Sequence, residues 1–161
     1  MKQFNVFKHM RKVTAALSIS CALFSIQTIQ AQTIYALSGS NLYQFDASDA
    51  ATTMWVGEIT GITAGQVVEG IDFRPLTGQL YAFGYDRITQ TAQLYVLDPM
   101  TAIATPVNLT PISLVLGPVG ADRLEITFDF NPTVDRIRVM STRDSNYSLH
   151  PVTGAPVFTD L

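Results

Sequence analysis

Beyond residue 31 the sequence holds no cysteine, no lysine and a single histidine, His150. Without cysteine there is neither a disulfide framework nor a thiolate metal site. One histidine excludes a histidine metal cluster, and any histidine-dependent triad within the chain that does not use His150. No long stretch carries a 3.6-residue apolar period. No nucleophile elbow, phosphate-binding loop or EF-hand pattern occurs, and nothing calls for a cofactor. Positive charge is scarce as well: residues 32–161 keep six arginines against thirteen acids, a net charge of −7. Phosphate binding needs a basic surface that releases counterions, so nucleic acid is not an expected partner. An acidic balance of this size favours solubility. Stability must come from burial, and about 130 residues suffice for one domain with a real core.

The basic residues missing from the body of the chain are concentrated at its start. Lys2, Lys8, Arg11 and Lys12 stand among the first twelve residues, with no acid. An uncharged run, 13–26, follows and trails into Gln27-Thr-Ile-Gln-Ala31. A positive n-region, a short apolar h-region and a small residue before a polar start form the pattern of a secretory signal helix. The run is too short to span a bilayer comfortably and has no charged stop beyond it. Residues 1–31 are therefore expected to be a signal peptide, 32–161 the exported domain, periplasmic or extracellular, with no stable membrane span after cleavage. A retained anchor helix is the alternative. Cys21 fits a lipid-bearing cysteine poorly, because apolar residues continue past it to Ile29.

From Thr33 onward, short apolar-rich runs recur, each closed by Gly, Pro, Asp or Asn. They lie at 33–37, 41–45, 53–59, 67–73, 79–83, 93–97, 104–109, 124–130, 136–140, 146–149 and 155–158. Aromatic and β-branched residues dominate most of them, which suits a pleated, half-buried surface. Turn sequences such as Arg74-Pro-Leu-Thr-Gly78 and Asp98-Pro-Met-Thr101 separate the runs. The expected class is all-β.

Internal repetition sharpens this expectation. Ile71-Asp-Phe-Arg-Pro75 aligns with Phe128-Asp-Phe-Asn-Pro132 at an offset of 57, and Leu94-Tyr-Val-Leu-Asp-Pro99 with Asn146-Tyr-Ser-Leu-His-Pro151 at 52. An earlier partial copy, Ile34-Tyr-Ala-Leu37 and Leu42-Tyr-Gln-Phe-Asp46, lacks the first strand of the unit. Four strands in about 40–50 residues is the size of a propeller blade. The expectation is a propeller-like array of four-stranded antiparallel blades, two complete and one partial. Closed propellers have about 4–8 blades. The chain is accordingly expected to be an incomplete portion of a longer domain or a module completed by self-association. An ordinary β-sandwich with self-similar hairpins is the alternative.

Gly70-Ile-Asp-Phe-Arg-Pro-Leu-Thr-Gly-Gln-Leu-Tyr-Ala-Phe83, Leu94–Pro99 and Phe128–Val139 together resemble a family of exported bacterial proteins catalogued as domain of unknown function 4394. The resemblance runs from Ile34 to the end of the chain. It implies a propeller-like β domain and no activity; members continue beyond the point where this chain ends.

Five residues are candidates for ligand contact: Asp72, Asp129, Asp135, Arg136 and Arg138. Asp72 and Asp129 are equivalent in the repeat and are a possible acid/base or calcium-binding pair. Duplication in the same turn context favours a structural role, accepting backbone N–H bonds beside a hairpin. Arg136 and Arg138 project from one face of a strand, with Ile137 and Val139 on the other. They can grip a small anion or carboxylate, or form a solvated face paired with Asp129 or Glu125. His150 replaces Asp98 in the repeat and reads as a turn residue. Tyr35, Tyr43, Tyr81, Tyr95 and Trp55 are able to stack on sugars, but their recurrence marks blade packing. Asn108-Leu-Thr and Asn146-Tyr-Ser fit the glycosylation triplet, a commonplace match. No catalytic or metal-binding residue is assigned. The leading expectation is a non-catalytic binding or structural module. The alternatives are a propeller-type hydrolase or lyase with carboxylates at a central channel, and a carbohydrate-binding or adhesion module.

Overall fold

The computed structural model describes residues 32–120 and 124–157. The expected signal segment lies outside the described residues. Every regular element is a strand, and no helix occurs among the described residues. None is therefore a helix long and apolar enough to cross a membrane.

The strands form three antiparallel sheets, each cut from one uninterrupted stretch of chain. Sheet 1 holds β1 (Thr33–Ser38), β2 (Asn41–Asp46) and β3 (Asp49–Glu58), in that order. Sheet 2 holds β4 (Val67–Phe73), β5 (Leu80–Asp86), β6 (Thr91–Leu97) and β7 (Ala104–Pro106), with the short β8 (Ile112–Ser113) also pairing with β6. Sheet 3 holds β9 (Ile126–Asn131), β10 (Arg136–Ser141) and β11 (Asn146–Leu149). The expected strand at 155–158 is reduced, among the described residues, to a single bridge between Pro156 and Leu149. β7 ends at Pro106 rather than at 109.

The repeats are visible in the hydrogen bonds. Tyr35 faces Gln44 across the β1–β2 ladder, Tyr81 faces Val96, and Arg138 faces Ser148, so the offsets read in sequence preserve strand register. The turns repeat as well. Asp46 Oδ1 accepts from the Ser48 N–H at 2.7 Å, Asp98 Oδ1 from Met100 at 2.8 Å, and His150 Nδ1 from Val152 at 3.1 Å. These three residues are spaced 52 apart. A side-chain acceptor two residues before a backbone donor mimics a turn, which explains why Asp and His are interchangeable here. Hydrogen bonds from the Ser48 hydroxyl and N–H hold the Asp46 carboxyl below its usual range, and the Met100 N–H does the same for Asp98.

Sheet 2 is the centre of the core. In β5 six consecutive residues are buried, because both faces are covered. Tyr81, Phe83 and Tyr85 alternate with Leu80 and Ala82, as a two-residue period demands. The first set packs with Ile137, Val139 and Leu149 of sheet 3. The second set packs with Leu42 of sheet 1 and with Tyr95 and Leu97. Gly70 allows the close approach of sheets 2 and 3: a Cβ there would stand 2.8 Å from Phe128 Cβ. Sheets 1 and 2 are also tied by the backbone, Thr60 N–H to Ala102 carbonyl (3.1 Å) and Ala104 N–H to Thr60 carbonyl (2.8 Å).

After β8, Leu114 and Leu116 enter the core shared by sheets 2 and 3. The buried Tyr85 hydroxyl donates to the Leu114 carbonyl (3.0 Å) and accepts from the Leu116 N–H (3.3 Å). Burial pushes its pKa above the usual value. Tyr85→Phe strands both backbone groups and is expected to lower stability by about 1–2 kcal/mol, measured by urea denaturation.

Candidate functional site

The five candidate residues divide into two groups. Asp72 and Asp135 are engaged in holding sheets 2 and 3 together, whereas Asp129, Arg136 and Arg138 belong to the strands of sheet 3 with an open outer face.

Asp72, near the end of β4, accepts the Phe73 N–H through Oδ1 (2.8 Å) and the Phe130 N–H of β9 through Oδ2 (2.8 Å). It therefore staples sheet 2 to sheet 3 as well as serving its own strand end. Asp135 forms a bidentate pair with Arg74, Nε to Oδ1 at 2.9 Å and Nη2 to Oδ2 at 2.6 Å. The Arg74 side chain is only 10 % exposed and that of Asp135 27 %, so the pair is largely desolvated. Hydrogen bonding to Arg74 holds the Asp135 carboxyl below its usual range, and the same contact raises the Arg74 guanidinium above its own. Asp135 takes a positive φ of 49°, in the place occupied by Gly78 (φ 69°) one repeat earlier. Aspartate tolerates this left-handed conformation better than most residues, and here it converts a bare turn into a clamp on the neighbouring sheet. Sequence adjacency grouped Asp135 with Arg136 and Arg138, but its carboxylate is committed to Arg74.

The remaining three candidates share sheet 3. Ile137 and Val139 are fully buried while Arg138 is exposed and Arg136 half-buried, so the alternation expected for this strand is present. Arg138 pairs in register with Asp129 on β9 and with Ser148 on β11. Its Nε donates to Asn146 Oδ1 at 3.0 Å, and among the described residues no ion pair joins it to Asp129 or Glu125. The expected pairing with a neighbouring acid is thus replaced by a bond to an amide. Arg136 Nη1 donates to the Asp135 carbonyl at 2.9 Å.

These side chains line a groove of about 530 Å³. Its polar lining is Asn131, Arg136, Arg138, Asn146 and Ser148; Val134, Tyr147, Pro156 and Val157 supply an apolar wall. Asn146 and Ser148 were singled out in the sequence only as a glycosylation triplet, not as ligand contacts. The signal was available in the repeat: at an offset of 52 they stand where sheet 2 has the apolar residues Leu94 and Val96. Of the candidate stacking rings, Tyr81 and Tyr95 are core residues and Tyr35 packs edge-on to Phe73 (5.8 Å). Tyr43 and Trp55 are register partners on sheet 1, where Trp55 is exposed and donates to Asn41. Among the described residues, no group of three or more His, Cys, Asp or Glu gathers as a metal site would require.

Three sequence-contiguous antiparallel sheets with a shared register, joined by backbone bonds between the first two and side-chain staples between the last two, define an all-β repeat domain. The family model named domain of unknown function DUF4394 matches residues 41–161, and the chain belongs to that family. No curated protein and no solved structure matches the chain.

Proposed function

We propose that this protein is an exported, non-catalytic binding or structural module whose sheets are successive blades of a propeller-like array. The observation that carries the reading is the use made of its potentially reactive groups. Asp72 and Asp135 join sheets, and Asp46, Asp98 and His150 close turns. Asp135, locked to a guanidinium, and the turn carboxylates Asp46 and Asp98 are held below their usual range and have little basicity left for proton transfer. The groove on sheet 3 combines hydrogen-bond donors with an apolar wall, the composition of a recognition surface. Export is supported by the basic and apolar segments of residues 1–31.

The competing hydrolase or lyase reading depends on Asp129, the one member of the carboxylate pair with no hydrogen bond among the described residues. A panel of glycoside, ester and uronate substrates assayed with and without calcium is expected to show no turnover. Turnover that disappears in Asp129→Asn would overturn the proposal.

A further inference from the structure

The repeat identifies one place where the chain abandons its own rules. On the face that sheet 1 turns toward sheet 2, Tyr35, Leu37 and Leu42 contribute to the packing, and on the face that sheet 2 turns toward sheet 3, Tyr81, Phe83 and Leu94 do. The same positions in sheet 3, found through the shared register, are Arg138, Met140 and Asn146. Gln44 and Val96 are likewise matched by Ser148. A face that elsewhere packs against a sheet has become a hydrogen-bonding surface.

A polar face by itself favours solubility and is not a site. Two further observations go beyond that. This face is concave, forming the groove of about 530 Å³. Its two guanidiniums are also underused: Arg138 spends Nε on Asn146 and Arg136 spends Nη1 on backbone carbonyls. The other N–H groups of both have no hydrogen-bond partner among the described residues. A guanidinium carries five donors in a planar fork matched to a carboxylate. Residues two apart on a strand stand roughly 6–7 Å apart, the reach of a short carbon chain bearing an acid at each end. Val134, Tyr147, Pro156 and Val157 offer that chain an apolar wall.

We propose that the groove of sheet 3 binds a small organic dicarboxylate, Arg136 and Arg138 each receiving one carboxylate and Asn146 fixing the Arg138 fork. This rests on the reading of the protein as a binding module and specifies its ligand.

Calorimetric titration of the full chain at low salt with succinate, glutarate and adipate tests it, with sodium sulfate and acetate as probes of charge alone. At least one dicarboxylate is expected to bind with 1:1 stoichiometry and more tightly than sulfate or acetate. Arg138→Ala and Arg136→Ala are each expected to weaken it by about 10- to 100-fold, the loss of charge-assisted hydrogen bonds. Arg136→Lys, which keeps the charge and loses the fork, should also weaken it, and Arg143→Ala should leave it unchanged. Unchanged circular dichroism establishes that each variant is folded. No dicarboxylate binding, equal binding of sulfate, or binding indifferent to Arg138→Ala would overturn the proposal. Those outcomes leave the absence of turnover untouched, so the ligand assignment and the non-catalytic reading fail separately.

Discussion

Asp135→Asn is expected to lower the unfolding free energy by about 3 kcal/mol, corresponding to a fall in Tm of roughly 10 °C for a domain of this size. The reason lies with the partner that remains. Arg74 keeps its charge at any accessible pH and is largely buried, so removal of the carboxylate leaves a desolvated guanidinium with no anionic partner. Asparagine tolerates positive φ as aspartate does, which keeps the turn geometry and isolates the charge. The pH dependence gives a second readout. Because Arg74 depresses the Asp135 pKa in the folded state, the pair contributes its full stability above the carboxylate's ordinary value of 3.8. That contribution is lost as pH falls through the depressed folded value. Asp46, Asp86 and Asp98 are depressed as well, by turn hydrogen bonds, and contribute to the same acid limb in both proteins. The difference between wild type and Asp135→Asn in denaturant titrations should therefore shrink as pH is lowered below 3.8. A constant difference across that window would mean that the pair is not what stabilises the junction.

Phe83→Ala is expected to have the largest effect, about 3–5 kcal/mol. Phe83 is completely buried at the middle of the central sheet, with its ring 5.8 Å from that of Phe128 and 6.4 Å from that of Tyr85. Its loss opens a cavity at the junction of sheets 2 and 3, lined by strands held in register from both sides and unable to collapse. A double-mutant cycle with Phe128→Ala should show coupling of about 0.5–1.5 kcal/mol, which separates the ring contact from simple loss of volume. Leu109→Ala is the control: the side chain is fully exposed, and the change should stay within about 0.5 kcal/mol. Urea unfolding at neutral pH reads all of these. Comparable losses for Phe83→Ala and Leu109→Ala would contradict the placement of the core.

The strands were legible because the apolar runs are short and punctuated by turn residues that carry their own chemistry. Leu80-Tyr-Ala-Phe83 is one such run, and the matching offsets tied it to its counterparts in the other sheets; its burial on both faces was not read, because the run suited a half-buried surface equally well. Leu114 and Leu116 were not legible as core residues. They lie in an irregular segment after β8, placed by partners distant in sequence, among them the Tyr85 hydroxyl, the Gln90 carbonyl and the Ser141 hydroxyl. The partner of Asp135 was hidden for a related reason. The alignment places Asp135 opposite Gly78, while its carboxylate crosses to Arg74 on a different sheet. Half of the groove could be read from the two-residue period that puts Arg136 and Arg138 on one face. Asn146 and Ser148 needed a second inference, that polar residues at positions apolar in the earlier repeat mark an altered surface.

Among the described residues no strand reaches into a sheet other than that of its chain neighbours, and each sheet occupies one continuous stretch. In genetic terms the architecture is extensible. A tandem duplication of a single unit's coding segment supplies a whole sheet, with its turn caps and both packing faces, and requires no existing strand to be rethreaded. The Asp72 contact travels with the copy, since its partner in the next unit is a backbone N–H, whereas the Arg74 clamp needs an acid where Asp135 stands and Gly78 does not supply one. Diversification then needs only a few substitutions on one face, of the kind that separate Tyr81 and Leu94 from Arg138 and Asn146.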